Sequence, residues 1–282
     1  MKDLTVFIIG DLEKRSLSHN GSLLHDSYTS VTNQLSSLDC DYEIINTEIK
    51  DIPNRVNSNL VLFLRSDHLI PDDYIFNACN INNLFRNFGI LFGPIYTRSS
   101  SAAFSGAVKD HYHRYDFGID EVLISNITNE QHNYGDMSAA IVSGPAYNQF
   151  NFSPVKTPRG YTINNHYFFN QVAKKHQVLY CSSLYKLKVL TDMDFDPEIL
   201  SDYYYNKGYE CGLHMATESE YEKKEKIWKN FVESPELTDY ESPRWLHDTK
   251  ETVDIEYLQS LLVLKFHYQL GLFEGMLGKK LV

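Results

Sequence analysis

The chain has 282 residues, of which 43% are hydrophobic and 22% charged, a composition typical of a soluble globular protein with a sizeable core. Its formal net charge of −11 argues against a general nucleic-acid binder. No apolar run approaches the roughly 18–20 residues that would span a bilayer.

The first residues and the cysteines indicate a cytoplasmic protein. The apolar stretch Val6–Ile9 is too short for the core of a signal peptide and is typical of a first buried strand. The four cysteines, Cys40, Cys79, Cys181 and Cys211, show no paired metal-type spacing. We therefore expect reduced thiols and no export.

The first half of the chain alternates strands with helices. The predicted strands are Thr5–Ile9, Tyr42–Ile45, Leu60–Leu64 and Gly89–Tyr96, and the predicted helices are Ser22–Leu38 and one that begins near Asp72. This alternation predicts an α/β fold with a mostly parallel sheet flanked by helices.

The second half begins with short elements, and its amino-acid composition changes at Asp192. The pattern predicts strands at Met137–Val142, Val178–Cys181 and Leu184–Leu190, and helices at Tyr161–Lys175, Glu218–Phe231 and Val253–Leu272. Gly144 and Pro145 end the first of these strands. We expect two domains, an α/β domain over 1–191 and a helical C-terminal extension over 192–282.

The segment Asn59–Tyr74 is the strongest candidate for a functional site. A buried strand ends there in Arg65, Ser66, Asp67 and His68, and Pro71 starts a new element. Open α/β sheets bind ligands at the carboxyl ends of their strands. Asp67 has the chemistry to hold a divalent cation, and Arg65 or His68 has the chemistry to meet phosphate.

A second feature is a stretch without acidic residues. Between Asp136 and Asp192 there is no Asp or Glu. The stretch carries six cations: Lys156, Arg159, Lys174, Lys175, Lys186 and Lys188. Two interpretations stay open, a positive face for a phosphate-bearing ligand and a basic patch that balances acids elsewhere in the fold.

The first 190 residues resemble the family 2 glycosyltransferases, whose fold is the GT-A type, in the order of several short motifs. After the first strand, Ser30–Gln34 is similar to the family's S-V-x-x-Q and Asp41–Ile45 to its F-E-V-I strand. Asn54-Arg55 stands in the place of A-R-N. Phe63–His68, with Pro71 and Tyr74, is similar to F-L-D-x-D-x-x-x-x-P-x-Y, and Gly93–Tyr96 matches the strand that commonly follows. The ordered set covers about two thirds of the chain. The resemblance implies an enzyme that transfers a sugar from a nucleotide-sugar, with UDP-sugars as the expected donors.

The resemblance also implies roles for individual residues. It puts Asp67 in the position of a ligand to Mn²⁺ or Mg²⁺, whose charge would stabilise the leaving diphosphate. Gly10, Asp11 and Glu48 lie near where the family holds the nucleoside, and Arg55, Arg65 and His68 complete the expected donor site. Enzymes of this arrangement usually invert the anomeric centre.

Two departures from the family pattern concern the chemistry. The first acid of the family's D-x-D motif is Arg65 here, which indicates partial replacement of the metal by a cationic group. The region that matches the family's catalytic E-D pair, Asn164–Tyr167, contains no carboxylate. The candidates for the general base are His166, whose ordinary pKa suits neutral pH, and Asp136.

The acceptor and the class of protein stay open at this point. A bacterial surface glycan is one expected acceptor. The Asn-, Tyr-, Ser- and Asp-rich texture also looks like that of a tailed-phage protein, and T-even phages glycosylate 5-hydroxymethylcytosine in DNA with glucose or arabinose inside the host cytoplasm. The alternative is a non-catalytic GT-A-like protein that binds nucleotide-sugars or acts as a scaffold. A nucleotidyltransferase ranks last, because the chain lacks a Gly-rich basic loop after its first strand.

Overall fold

The computed structural model describes residues 2–10, 20–85, 87–99, 124–126, 140–150, 152, 154–163, 165–190, 196–218 and 255–278. These residues form two compact units. The first unit contains the described residues from 2 to 154 and from 163 to 190, and the second contains 155–162 and the described residues from 196 onward. The domain boundary predicted after residue 191 assigns 155–162 to the first domain, whereas the structure groups this segment with the C-terminal helices.

The elements of the described residues follow the alternation that the sequence predicts. The strands are β1 (Lys2–Ile9), β2 (Tyr42–Thr47), β3 (Ser58–Arg65), β4 (His68–Leu69), β5 (Phe88–Phe92), β6 (Ile95–Ser99), β7 (Ile124–Asn126), β8 (Ala140–Ser143), β9 (Pro154–Thr157), β10 (Gly160–Ile163), β11 (Gln177–Cys181) and β12 (Lys186–Leu190). The helices are α1 (Asn20–Ser36), α2 (Tyr74–Leu84), α3 (Gly144–Gln149), α4 (Asn165–Lys175), α5 (Pro197–Glu218) and α6 (Ile255–Gly278). No helix in these ranges is long and apolar enough to cross a membrane.

The first unit is built on a seven-stranded sheet in the order β2-β1-β3-β8-β5-β11-β7. β1 is parallel to β2 and to β3, and β11 is parallel to β5. β8 is antiparallel to both β3 and β5, so these two run in the same direction. Five strands therefore run one way, and the predicted α/β class with a mostly parallel sheet and a helical C-terminal part is confirmed.

The core lies on both faces of this sheet. Alternate residues of β1 and β3 enter two separate apolar clusters, Phe7 and Phe63 on one face and Ile8 and Leu62 on the other. α1 and α2 cover the second face, and α3 and α4 cover the first with an aromatic group formed by Tyr147, Phe152 and Phe168. Each fully buried large side chain contributes roughly 1.5–3 kcal/mol, so the apolar runs of these strands and the helices that cover them both stabilise the unit.

A second sheet, in the order β4-β12-β6, continues from the carboxyl ends of three strands of the first. β4 follows β3, β6 follows β5, and β12 follows β11. The single predicted strand Gly89–Tyr96 is therefore wrong, because Gly93-Pro94 separates β5 from β6. A Cβ atom at Gly93 would lie 2.1 Å from the Leu184 carbonyl oxygen, so the close approach of the 181–184 turn requires glycine there.

Two predicted helices differ from the structure or lie largely outside the described residues. The predicted helix Tyr161–Lys175 begins too early, because Gly160–Ile163 is strand β10, which pairs with β9, and α4 begins only at Asn165. Gly160 has a positive φ of 126° at the turn of this hairpin, a conformation that favours glycine. The predicted helix Glu218–Phe231 lies, apart from its first residue, outside the described residues.

In the second unit α5 packs against α6 through glycines. A Cβ atom at Gly208 or Gly212 would lie 2.0 or 2.1 Å from the carbonyl oxygen of Tyr268 or Leu272, respectively. Gly271 meets the Tyr205 carbonyl oxygen in the same way, at 2.0 Å. Because residue numbers rise together on both helices along this contact, α5 and α6 run parallel with their backbones touching.

Candidate functional site

The candidate site lies at the carboxyl edge of the large sheet, where β1, β2 and β3 end together. Ile9 is in register with Thr47 on one side and with Arg65 on the other. The backbone N–H of Gly10 donates to the Thr47 carbonyl at 3.2 Å, and that of Ser66 donates to Ile9 at 2.9 Å. Gly10, Glu48 and Arg65, three of the predicted donor-binding residues, therefore lie along one edge.

Asp67 is the centre of a buried ionic cluster at this edge. Only 2% of its surface is exposed. Its Oδ2 lies 2.6 Å from Lys188 Nζ, and its Oδ1 lies 2.6 Å from His68 Nδ1 and 3.4 Å from Arg65 Nε. The side chain of Lys188 is 5% exposed and that of Arg65 is 37% exposed, so Arg65 is the cation of this group that reaches solvent.

The backbone around the cluster fixes these contacts. β4 pairs antiparallel with β12, which sets His68 opposite Lys188, and the Val189 N–H donates to the Asp67 carbonyl at 2.8 Å. Ser27 on α1 donates its hydroxyl to the carbonyl oxygens of Ser66 and His68, at 2.9 and 2.7 Å. The cluster is therefore held by sheet pairing and by a helix contact, and not by flexible side chains alone.

The electrostatics of the cluster decide its protonation. Burial alone would raise the pKa of Asp67, but Lys188, Arg65 and His68 together hold that pKa well below its ordinary value. Burial lowers the pKa of His68 to about 4, against the opposing effect of Asp67. At neutral pH a carboxylate therefore faces a neutral imidazole, and the Nδ1–H of His68 donates to Asp67.

Lys186 adds a further cation, which the sequence interpretation did not single out as a site residue. It is fully buried, donates from Nζ to the Phe63 carbonyl at 2.7 Å, and lies 5.8 Å from the centre of the Tyr74 ring. Lys186 and Lys188 are two residues apart in a strand and so point to the same side. In the sequence, two lysines at alternate positions of a predicted strand are the signal by which this pair could have been found.

The surroundings of Asp67 do not fit a divalent cation. Such an ion needs several oxygen ligands, whereas Asp67 offers both of its oxygens to nitrogen donors. Within the described ranges no group of three His, Cys, Asp or Glu side chains is placed to hold a metal. The predicted Mn²⁺ or Mg²⁺ ion stays a prediction, and we derive no step of the reaction from it.

The other predicted site residues have different placements. Arg55 is exposed and lies three residues before the start of β3, next to Val56, whose N–H binds Asn148 at the end of α3. This is the amino edge of the sheet, so the structure does not bring Arg55 to the other residues. Asp11 and Asp136 lie outside the described residues.

His166 belongs to the first turn of α4. Only His176 separates the end of α4 from the start of β11, so the helix runs antiparallel to this strand. α4 therefore begins on the side of the carboxyl edge of the sheet. This places the backbone of His166 on the same side as Asp67. Its role as a general base stays a prediction.

The six cations of the acid-free stretch do not behave as one group. In the first unit Lys174 and Lys175 end α4 beside the amino end of β11, whereas Lys186 and Lys188 lie beyond its carboxyl end. In the second unit Arg159 lies 3.2 Å from Asp202 Oδ1 and 4.2 Å from the centre of the Tyr205 ring. The four lysines of the first unit therefore do not form a single positive face.

Comparisons with known proteins give structural likeness only. No protein-family model matches the chain, and no curated protein matches it. Among solved structures, S. aureus TarS 1-349 is similar at 10% identity, over 96% of this chain and 81% of that one, with a TM-score of 0.45. Its complex with UDP-GlcNAc matches at 11% identity over 99% and 91%, with a TM-score of 0.44. The inositol-1-phosphate CTP transferase from T. maritima matches at 12% identity over 71% and 93%, with a TM-score of 0.36.

Proposed function

We propose that this chain is a GT-A-like glycosyltransferase that moves a sugar from a nucleoside diphosphate sugar, with UDP as the nucleotide, to an acceptor hydroxyl. The observation that carries the proposal is the pair of cations Arg65 and Lys188 held on Asp67 at the carboxyl edge of the sheet. Transfer from such a donor releases a diphosphate, whose growing negative charge needs cations held in place. The ordered motifs of the first 190 residues support the same reading.

The donor side of the reaction follows from the edge residues. Gly10 and Glu48, where β1 and β2 end, hold the nucleoside together with Asp11, which follows Gly10 in the sequence. Arg65 contacts the diphosphate, because its side chain is 37% exposed while it also faces Asp67. The bond between the anomeric carbon and the diphosphate oxygen breaks, and the electron pair leaves with the diphosphate.

The acceptor side needs a group that takes the proton of the attacking hydroxyl. His166 and Asp136 are the two candidates, and in the inverting reaction the acceptor oxygen attacks the anomeric carbon from the face opposite the diphosphate. Replacing each in turn, as His166→Gln and Asp136→Asn, separates them. The base is the residue whose loss lowers kcat by about 100-fold or more and leaves the KM for the donor unchanged.

For the acceptor we favour a hydroxyl of a surface glycan over 5-hydroxymethylcytosine in phage DNA. The DNA interpretation drew on one positive face along the acid-free stretch, and four of the six cations lie at opposite ends of β11. A gel shift on duplex DNA at low salt tests this choice. A shift that weakens steeply as salt is added would favour the DNA acceptor instead.

A second candidate is a non-catalytic protein that binds nucleotide-sugars. The absence of any Asp or Glu between Asp136 and Asp192 favours it, because the resemblance places the catalytic acid pair in this stretch. Turnover distinguishes the two candidates. Hydrolysis or transfer of any nucleotide-sugar, even slowly, rules out the binding protein. This holds if the activity is lost in one of the two base variants, His166→Gln or Asp136→Asn.

The test of the proposed function is a donor screen. The purified chain is incubated with a panel of nucleotide-sugars that includes UDP-glucose and a UDP-pentose, and released nucleotide is measured by mass spectrometry. Isothermal titration with UDP measures binding in parallel. We expect one UDP-sugar to be hydrolysed or transferred and UDP to bind; the absence of UDP binding, together with no release of nucleotide from any sugar donor, would overturn the proposal.

A further inference from the structure

We infer that the diphosphate site works without a divalent cation, because Lys188 occupies the position at Asp67 that such an ion would take. This inference rests on the proposed function and concerns the same site. It predicts a donor whose diphosphate is bound by side-chain cations alone, with Arg65 as the group in contact with it.

The contacts of Asp67 provide the first argument. Its Oδ2 is 2.6 Å from an ammonium group, and its Oδ1 is shared between His68 Nδ1 at 2.6 Å and Arg65 Nε at 3.4 Å. A metal ion bound to either oxygen would displace a hydrogen-bond donor or lie beside the Lys188 ammonium, which would repel it. If it displaced Lys188, whose side chain is 5% exposed, a buried cation would lose its carboxylate next to the new positive charge.

The way in which the pair is built provides the second argument. The backbone of Lys188 is held in place, because β12 is paired on one side with β4 and on the other with β6. The register with β4 sets Lys188 directly opposite His68, the neighbour of Asp67. The backbone of Lys188 is thus fixed, and its ammonium, 2.6 Å from Asp67 Oδ2, belongs to a side chain that is only 5% exposed.

The charge of the cluster provides the third argument. Arg65 and Lys188 carry two formal positive charges and Asp67 one negative charge, while His68 lies within hydrogen-bond distance as a neutral partner. Among the described residues the cluster therefore has a formal excess of one positive charge. A site that is already net positive opposes the binding of a further divalent cation, whereas it attracts a diphosphate.

The decisive experiment measures the Kd of UDP for the full chain by isothermal titration, once with excess EDTA and once with excess MnCl₂. We expect the two values to agree within about threefold. Binding that appears only with Mn²⁺, or that is more than about tenfold tighter with it, would overturn the inference and leave the proposed function intact. No binding of UDP in either buffer would overturn the proposed function, and the inference with it.

Two variants sharpen the result. Arg65→Gln should weaken UDP binding by about tenfold or more in EDTA, because a charged contact to phosphate is lost. Lys2→Gln is the matched control: Lys2 has the same 37% side-chain exposure, and it lies at the amino edge of the same sheet. Equal effects of the two variants would contradict the role given to Arg65.

Removal of Lys188 provides a further test. In Lys188→Ala the Asp67 Oδ2 loses its ammonium, so we expect weaker UDP binding in EDTA and partial recovery with Mn²⁺, a dependence that the unmodified chain lacks. Circular dichroism checks that the variant folds. If it does not, the comparison of EDTA with MnCl₂ on the unmodified chain still decides the question. A folded variant that binds UDP as tightly as the unmodified chain in EDTA would contradict the inference.

Discussion

At the scale of single residues, His68 makes the stability of the protein depend on pH. In the folded protein its pKa of about 4 lies below the ordinary value near 6.5. Between these two pH values the unfolded chain therefore binds a proton at His68 that the folded chain does not bind. The contribution of His68 is fully present above pH 6.5 and is lost as the pH falls toward 4. We expect the free energy of unfolding to fall by about 3 kcal/mol across this window.

The measurement is urea unfolding at several pH values between 7 and 4, on the unmodified chain and on His68→Asn. Asparagine can keep a side-chain N–H near Asp67 Oδ1 but does not titrate. The difference between the two proteins isolates His68 from His176 and His267, whose pKa values burial also lowers. Parallel pH dependences for the two proteins would refute the prediction. The Asp67 contribution is lost only at lower pH, since the pKa of that carboxyl is depressed.

Tyr74 and Tyr147 form a matched pair for a second test. Both are fully buried, but the Tyr74 hydroxyl has no hydrogen-bond partner within the described part of the chain, whereas Tyr147 donates to the Pro53 carbonyl. Tyr74→Phe should therefore leave the free energy of unfolding unchanged or slightly higher, and Tyr147→Phe should lower it by about 1 kcal/mol. Chemical denaturation of the two variants measures this, and a larger loss for Tyr74→Phe would contradict the prediction.

The sequence could predict Asp67 as a site residue but not the partners that decide its chemistry. The strand end at Arg65–His68 is a local pattern, readable from an apolar run followed by charges. Lys188 lies 121 residues away and meets Asp67 only through the pairing of β4 with β12. Contacts of this kind depend on a second sheet whose short strands carry little signal of their own, as β4 has only two residues.

At the scale of elements, the contact between α5 and α6 depends on having no side chain at four positions. If a Cβ atom were added at any of these positions, it would lie 2.0 to 2.2 Å from a carbonyl oxygen of the other helix. The four positions are Gly208, Gly212, Gly271 and Gly275. Alanine normally stabilises a helix by about 1 kcal/mol relative to glycine. We expect Gly212→Ala to destabilise the protein instead, by about 1–3 kcal/mol, since the helices must separate to admit the methyl group.

Thermal unfolding followed by circular dichroism measures this effect. Val263→Ala on α6 is the control, because that side chain is 48% exposed and its loss should change little. A rise in stability for Gly212→Ala, as helix propensity alone requires, would show that the backbones do not touch there.

The same scale shows where sequence patterns succeed. Continuous apolar runs identified β1, β3 and β11 because these strands are buried on both faces. Gly144-Pro145 marked the boundary between β8 and α3, where proline fits the first turn of the helix. The boundary between β5 and β6 was missed, since Gly93-Pro94 sits inside one apolar run and the change of sheet depends on the 181–184 turn beside it.

At the scale of the whole molecule, the net charge and the site have opposite signs. A total of −11 repels a nucleotide at long range, while the cluster around Asp67 attracts it at contact distance. Added salt screens both effects, but the interaction between fixed, close charges dominates the binding energy. The sign of the salt effect on UDP affinity therefore reports which of the two governs recognition.

We expect the affinity for UDP to fall as KCl is raised from about 0.05 to 0.5 M, where the Debye length shortens from over 10 Å to under 5 Å. UMP should bind more weakly than UDP and show a smaller salt effect, because it presents less charge to Arg65 and its neighbours. Uridine, which has no phosphate, should show almost no salt effect and serves as the control. Titration calorimetry at several salt concentrations measures all three. A UDP affinity that rises with salt would mean that repulsion by the acidic surface outweighs the cationic cluster, and that the diphosphate binds elsewhere.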